Sequence, residues 1–564
     1  MIKTGAQIVC ESLVQEGVEV LFGLTGGAVV PLFDALSQYP ELRRVLVRHE
    51  QGAAHAAAGY ARARQRAGVC VATSGPGATN LVTGIADAYM DSTPLVVITG
   101  QVADWSIGKD TFQECDITGV TLPIIKHNYL VRDVNDLART LKEAFYIAQT
   151  GRPGPVLVDI PRDVQTAEAE FFYPANVNLP GYRPLYEADP SDVGRAAALL
   201  EGAERPVIIA GRGVIISRAY EELAHLAETL QAPVAHTLLG LGSFPPHHPL
   251  DIGMFGMHGS GYANRAIQHA DVIVALGTRF GDRATMRAGG FAPEAAIIHF
   301  DIDPAEIGKN IVPCASVVGD VSTTLRQLAP LLHPRTDSGW LSQVEKWRDA
   351  YPLTVHRTNA GLTAREVIRA ICRSADDDTV IVTGVGQHQM FAAQEFCSPR
   401  RNGLITSGGL GTMGFELPAS AGAQIACPAD TVWAVAGDGS FQMTMQELAT
   451  IVQEGLPVKM AILNNGYHGM VRQLQEVYCN RNYVDVALYT PDFVQLARAY
   501  NIPGERITTL EDVDGALQRA RIYPGPYLLE FGVAPEENVY PMCAIGASLD
   551  EMLEAPREGV AARR

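Results

Sequence analysis

The chain is poor in positive charge, poor in tryptophan, without paired cysteines and without any long apolar run. Its 564 residues hold 44 lysines and arginines against 62 aspartates and glutamates, a formal net charge of −18. That balance argues against non-specific binding to nucleic acid or an anionic membrane, and no basic tract or basic–aromatic interleaving reverses it. The nine cysteines, Cys10, Cys70, Cys115, Cys314, Cys372, Cys397, Cys427, Cys479 and Cys543, form no Cys-x-x-Cys pair. This spacing speaks against a disulfide frame or zinc site and for a reducing compartment. No apolar stretch approaches membrane-spanning length, and Met1-Ile2-Lys3-Thr4-Gly5-Ala6-Gln7 lacks the basic and apolar segments of a secretory leader. The expectation is a soluble, cytoplasmic protein.

What is present is ample core material. With 47% apolar residues, the length predicts two to four domains. Buried parallel strands are expected at Val69-Cys70-Val71-Ala72-Thr73, Leu95-Val96-Val97-Ile98-Thr99, Val207-Ile208-Ile209-Ala210, Val272-Ile273-Val274-Ala275-Leu276 and Val380-Ile381-Val382-Thr383, each ending in a polar or glycine-rich turn. Proline- and glycine-bearing stretches near 166–188 and 332–362 read as linkers. The fold class is α/β, with three consecutive Rossmann-like or flavodoxin-like parallel-sheet domains at 1–165, 189–332 and 362–548, and a tail at 549–564.

One stretch organises the third block. Gly437-Asp438-Gly439-Ser440 follows the apolar run Thr431-Val432-Trp433-Ala434-Val435-Ala436, and Asn464-Asn465 follows Val458-Lys459-Met460-Ala461-Ile462-Leu463. Helical periodicity over 443–454 lies between them. The unit reads as strand, glycine turn, helix, strand, with polar groups where the strands end, the edge at which parallel sheets bind ligands. Asp438 offers an anionic oxygen and Asn465 a neutral one, a pair suited to Mg²⁺ shared with phosphates. Gly439 allows the backbone to approach a diphosphate, and the helix N-terminus adds its dipole. With its strand context, the arrangement resembles the thiamine diphosphate (ThDP) motif of ThDP-dependent decarboxylases and carboligases.

Glu50, in Arg48-His49-Glu50-Gln51-Gly52-Ala53-Ala54, sits where a strand meets an alanine-rich helix. An acid there is poorly hydrated and poised to share a proton with a ring nitrogen, although a glutamate in a first helical turn is also ordinary. Beyond these two motifs, ordered segments run along nearly the whole chain: Gly26-Gly27-Ala28, Ala72 through Asn80, Thr99-Gly100-Gln101-Val102, Phe112-Gln113-Glu114, Lys126-His127, Gly151 through Val156, Gly256-Met257-His258-Gly259, Asp301 through Glu306, Val385 through Gln389, Gly408 through Gly414 and Gly469-Met470-Val471. Together they resemble the catalytic large subunits of the acetolactate (acetohydroxyacid) synthase family.

That resemblance implies an enzyme that decarboxylates pyruvate and condenses the two-carbon remainder with a second 2-keto acid, giving 2-acetolactate. Glu50 would activate the cofactor, and Asp438, Asn465 and the Tyr467 carbonyl would hold Mg²⁺. Gly26, Gly27, Val385, Gly386, Gln387, His388, Gly411, Gly439, Ser440, Gly469 and Met470 would bind ThDP, with Met413 beneath it. Gln101, Gln113 and Lys126 would lie near the reacting groups. An FAD, largely non-redox, would rest on Arg152, Gly211, Gly213, Thr237, Leu238, Met257, His258, Gly277, Thr278, Arg279, Asp301, Ile302 and Asp320, although related carboligases keep the fold without flavin. Phe112, Arg279, Ala103 and Leu474 would line the substrate channel. Read alone, Met413 is core filler and Arg279 an ion-pair partner of Asp282. The resemblance also implies a homodimer or homotetramer and a possible regulatory small subunit.

Four positions depart from the family pattern. Ala103 stands where proline is common, Leu474 for tryptophan, Gly281 for an acid and Glu416 for glycine. The first two touch acceptor choice, so the alternative is a specialised carboligase using a different 2-keto acid. A non-catalytic assembly partner and an FAD oxidoreductase such as pyruvate oxidase are the competing classes. Retention of Glu50, Asp438, Asn465 and Met413 argues against the first, and steady flavin reduction by pyruvate would mark the second.

Overall fold

Three six-stranded sheets follow one another along the chain in the computed structural model, which describes residues 1–336, 339–355 and 361–555. The first holds β1 (Val20–Gly23), β2 (Arg43–Leu46), β3 (Gly68–Ala72), β4 (Leu95–Gln101), β5 (His127–Leu130) and β6 (Pro155–Pro161), in the spatial order β2-β1-β3-β4-β6-β5. The second holds β7 (Pro206–Ala210), β8 (Val234–His236), β9 (Asp251–Met254), β10 (Val272–Leu276), β11 (Ala296–Asp301) and β12 (Ala315–Val318), in the order β9-β8-β7-β10-β11-β12. The third holds β13 (Thr379–Thr383), β14 (Leu404–Thr406), β15 (Thr431–Gly437), β16 (Lys459–Asn464), β17 (Gly504–Ile507) and β18 (Tyr527–Gly532), in the order β14-β13-β15-β16-β18-β17. Neighbouring strands pair in parallel, as the expected α/β class requires.

The first and third sheets share one strand order, a kinship of topology that their sequences do not display. The middle sheet has the order of dinucleotide-binding folds. In all three the order reverses beside the first strand, and a ligand crevice opens where it does. Strands such as β3 and β4 are buried along their whole length, because helices cover both faces and leave no side for polar residues.

Five helices position the site: α1 (Glu50–Arg64), α2 (Gln387–Gln394), α3 (Glu416–Ala426), α4 (Asp438–Gln442) and α5 (Gly469–Tyr478). The first and third, rich in alanine and glycine, pack on each other and fuse the two outer units into one core. Their backbones touch: a Cβ on Gly422 would lie 1.8 Å from the Ala56 carbonyl oxygen, and one on Gly59 2.0 Å from that of Ala419.

Three local expectations change. The helix expected over 443–454 starts earlier, as α4, breaks, and resumes as a 3₁₀ turn at Met445–Glu447 and a helix at Leu448–Gln453. Thr444, at φ −136°, leaves the helical range and donates its hydroxyl to the Gly414 carbonyl at 2.8 Å. The stretch expected as a linker at 332–362 contains a helix, Trp340–Ala350, whose Trp340 and Val344 are buried against the middle unit. Residues 556–564 of the expected tail lie outside the described residues, whereas Met552–Leu553 pairs with Met542–Cys543 and Leu549 is buried. Among the described residues no helix is long and apolar enough to cross a membrane.

The helix contact is testable. Gly422→Val should cost at least the 1–3 kcal/mol typical of overpacking, seen as a lower thermal midpoint. An unchanged midpoint would mean that the α1–α3 interface yields freely.

Candidate active site

The turns after β13, β15 and β16 meet in one cleft at the reversal point of the third sheet. Gln387 and His388 open α2, Asp438, Gly439 and Ser440 open α4, and Gly469 and Met470 open α5, and all of them line it. Unpaired first-turn N–H groups and the dipoles of α2 and α5 make such a place attractive to an anion. Side chains are withheld where the walls close in. A Cβ on Gly469 would lie 2.0 Å from Gln387 Oε1, and one on Gly439 2.8 Å from His468 Nδ1. Gly386, at φ +150°, makes the turn into α2 that a side chain would strain. Val385 and Met413 add apolar wall, and Gly411, at φ +73°, faces Val385.

Asp438 is buried, and burial pushes its carboxyl up to about 7 against the opposing pull of the Gly439 and Gly466 N–H groups. Its Oδ2 accepts the Gly466 N–H at 3.0 Å. Asn465 Oδ1 accepts the Tyr467 N–H at 3.0 Å, and its amide faces Gln387 Oε1 at 3.4 Å. Gln387 donates to Gln473 and to the Glu537 carbonyl. Among the described residues no group of three histidine, cysteine or acidic side chains forms a metal cluster. The donors on offer are one carboxylate, one carboxamide oxygen and a backbone carbonyl, a hard-oxygen set that fits Mg²⁺ completed by phosphate oxygens. His388 is buried with Nε2 unpartnered, and burial pulls it down to about 3, so it stays neutral.

Glu50 opens α1 and is 5% exposed, its Oε2 accepting from Asn80 at 2.9 Å. The start of α1 is pinned by Glu447, which accepts the Arg48 and His49 N–H groups, each at 3.1 Å. Gly26 and Gly27 follow β1, with Gly26 so close to Thr73 that a Cβ would meet it at 2.6 Å. No first-sheet residue lines the Asp438 cleft among the described residues. Within one chain, Glu50 and Asp438 are therefore not brought together.

Several expected groups are already engaged. Gln101 donates to the Cys115 carbonyl at 2.7 Å and to Asp159 at 2.9 Å, and its oxygen accepts the Val102 N–H. Lys126 donates to the carbonyls of Ile147 and Thr150 and to the Tyr182 hydroxyl. It thus closes the end of the helix Leu137–Gln149 instead of presenting its charge to the cleft, and burial lowers it to about 8. Gln113 lies in a loop at φ +60°, with its backbone against Gly75. Phe112 beside it is 84% exposed.

In the middle sheet, Gly211 and Gly213 after β7 meet Gly277 after β10, with Cβ positions 2.3 and 2.6 Å from its atoms. Thr237 and Leu238 follow β8, Met257 and His258 follow β9, and Asp301 and Ile302 mark the end of β11. Asp301 is buried, which pushes its carboxyl up to about 7. His258 Nε2 has no partner, and burial holds that ring down to about 4. Asp320 caps the helix Val321–Leu328 through the Thr323 N–H. Arg152 pairs with Glu306 at 2.6 Å and Asp303 at 3.2 Å, and Thr278 offers its carbonyl to His299. Arg279 reaches the third unit, its Nη2 2.9 Å from where a Gly409 Cβ would be, while Asp282 faces Arg283 instead. Leu474 lies one turn beyond Met470 on α5, and Ala103 accepts from Ser106.

Sequence reasoning passed over Glu447, Asn80, Asp159 and Glu537. Asn80 stood in a quoted motif without a role. The others have no signal in sequence, because their partners lie 58 to 399 positions away in the chain.

Models of the thiamine pyrophosphate enzyme match all three units: the N-terminal TPP binding domain at residues 3–120, the central domain at 193–328 and the C-terminal TPP binding domain at 384–531. An acetolactate synthase of Mycobacterium bovis is 49% identical over 98% of this chain and 91% of its own length. Acetolactate synthase large subunits of Corynebacterium glutamicum and Cyanidium caldarium are 46% and 44% identical, over 97% and 98% of this chain and 89% and 97% of their own.

Glu447→Ala should destabilise the protein by about 1–3 kcal/mol, because two part-buried amides lose their acceptor. Hydrogen exchange at residues 48–54 should speed up with it. Unchanged protection there would show that the start of α1 is held by something else.

Proposed function

The chain belongs to the thiamine pyrophosphate enzymes of the acetolactate synthase large-subunit family, and we propose that its two outer sheets divide the work of that family's reaction. The reaction decarboxylates pyruvate and joins the remaining two carbons to a second 2-keto acid, giving 2-acetolactate. Bound thiamine diphosphate supplies the electron sink for both halves. All else is positioning by this chain's own residues.

Asp438, Asn465 and the Tyr467 carbonyl would hold Mg²⁺, and the first-turn groups of α2, α4 and α5 would receive the diphosphate. The observation that carries this assignment is a cleft lined by a buried carboxylate and helix N-termini with no lysine or arginine among the described residues. A carboxylate in such a cleft repels a dianion, and a divalent cation shared between the carboxylate and phosphate oxygens removes that repulsion. Met413, on the wall of the cleft, would contact the cofactor. Glu50 holds a proton at the pyrimidine ring nitrogen, which a buried carboxyl backed by alanines is suited to exchange. Gln101 and Lys126 act through the groups they hold, since their N–H groups are engaged. Arg279 takes the carboxylate of the second keto acid in its bidentate fork.

Because Glu50 and Asp438 occupy separate places in one chain, the complete site needs a second copy, in a homodimer or homotetramer. Exposed Phe112 and Trp105, at 84% and 72%, supply apolar surface for that contact. The relatives' designation as large subunits supports a regulatory small subunit as a further partner. FAD in the crevice of the middle sheet is favoured by the bare Gly211, Gly213 and Gly277 edge, by Asp301 at a strand end where a ribose would sit, and by the unpartnered His258 Nε2. Nine free cysteines support a cytoplasmic location.

Glu50→Gln should leave ThDP bound yet slow hydrogen–deuterium exchange at the thiazolium C2 by roughly 10²–10⁴-fold. Near wild-type exchange would sink the assignment. The acceptor test uses Leu474, whose side chain offers no ring face. Leu474→Trp should raise preference for 2-ketobutyrate over pyruvate as acceptor, and sensitivity to planar aromatic inhibitors, by roughly 2- to 12-fold, the equivalent of about 0.5–1.5 kcal/mol of aromatic contact. If competition assays on the two proteins agree, Leu474 does not face the acceptor.

A further inference from the structure

Directly behind the cleft lies a carboxylic acid that the cofactor reading leaves unused. Glu416, the first residue of α3, is fully buried against Gly384, where a Cβ would lie 2.4 Å from its Oε2. Ser440 donates its hydroxyl to that same Oε2 at 2.9 Å and accepts the Gly414 N–H at 2.8 Å. Among the described residues Oε1 is buried without a partner.

No counter-charge faces this acid. β13 and β15, packed against α3, carry no ionisable side chain. On α1, Glu50 is held by Asn80, His55 meets Phe415 edge-on and is neutral, Tyr60 and Arg64 are bound to Glu19, and Arg62 to Asp91. Glu447, next on the chain side of α3, is taken by the Arg48 and His49 amides and the Thr450 hydroxyl. Asp438 and Glu537 belong to the cleft itself. Burial accordingly pushes Glu416 up to about 7, with only the Ser440 hydroxyl and a backbone N–H opposing.

A serine hydroxyl has one hydrogen to give and two lone pairs to accept with. While Glu416 is ionised, that hydrogen points away from the cleft, and a carboxylate stands behind Ser440 as a diphosphate arrives in front. Once Glu416 is protonated, it donates to Ser440, whose oxygen then accepts from Glu416 and Gly414 and whose hydrogen turns to the cleft. We propose that Glu416 is a positioning residue for the diphosphate, switching the Ser440 hydroxyl from itself to the anion, so that binding draws one proton from solvent onto Glu416. The inference rests on the reading that Ser440 meets the diphosphate.

The test is calorimetric titration of the full-length apo protein with thiamine diphosphate at saturating Mg²⁺, in buffers of different ionisation enthalpy between pH 6.5 and 8.5. Near pH 8 the natural protein should take up close to one more proton per diphosphate than Glu416→Gln, whose amide donates to Ser440 at every pH. The ratio of natural to Glu416→Gln affinity should fall roughly 25-fold across the range. Proton release from Asp438 on meeting the metal is common to both proteins and cancels. In a Ser440→Ala background the difference should vanish. Should Glu416→Gln not fold, comparison of the natural protein with Ser440→Ala reads the same uptake. Coincident pH profiles and equal uptake would overturn the role of Glu416 even while Asp438→Ala abolishes binding. Undiminished Mg²⁺-dependent binding by Asp438→Ala would overturn the cleft reading itself, and this inference with it.

Discussion

Backbone contact between α1 and α3 is the constraint on which the rest depends. Gly59 and Gly422 let the two helices approach until carbonyl oxygens occupy the space where side chains would stand. The first and third units thereby share one core instead of meeting across a wet interface. The same contact fixes both ends of the chemistry. The N-terminus of α1 carries Glu50, and that of α3 carries Glu416 behind Ser440, three residues after Met413. Glu447 ties this frame to the start of α1 by accepting two of its amides. A small shift of either helix would therefore move Glu50 and the residues around Ser440 together.

The cleft answers an electrostatic problem in an unusual coin. A protein of net charge −18 must hold a diphosphate, yet no lysine or arginine lines the cleft among the described residues, and its buried histidine is neutral. On the proposed reading, attraction comes from oriented N–H groups, from helix dipoles and from a metal ion at Asp438. Fixed dipoles of this kind need no reorganisation when the ligand arrives, whereas flexible cationic side chains would lose conformational entropy to be held there.

How much of this was legible in the sequence depended on the range of the interactions involved. Strands such as Leu95–Gln101 announced themselves because a strand buried on both faces is a continuous apolar run. Asp438, Asn465 and Gly439 were legible because each stands just past such a run. The break at Thr444 was not, since its cause is a carbonyl 30 positions earlier in the chain. Trp340–Ala350 was lost among irregular residues because one buried turn, Trp340 and Val344, is too short a periodic signal. Engagement of Lys126 and Gln101 was equally invisible: a motif names the residue, but only the fold shows where its N–H groups go. Glu416 could be seen as a departure, and its meaning needed Gly384 and Ser440 beside it.

Three acids in or behind the cleft, Asp438, Glu416 and Glu537, are each pushed up to about 7 by burial. The sign of their effect on stability follows directly. A carboxyl whose folded value lies above its unfolded one is neutral in both states at low pH and imposes no penalty there. As pH rises past the unfolded value near 4, the unfolded chain ionises while the folded one stays protonated, and stability is lost progressively until about pH 7. At neutral pH these buried acids therefore impose an electrostatic cost on the fold. On the proposed reading, a divalent cation on Asp438 would remove that acid's share by giving its carboxylate a counter-charge, and neutralisation of Glu416 would remove another by keeping a second anion away from the phosphates. On that reading the destabilising burial of these acids and the affinity for metal and diphosphate are one property of the site, which the fold supplies by surrounding carboxyl groups with strands and glycines that offer no positive charge.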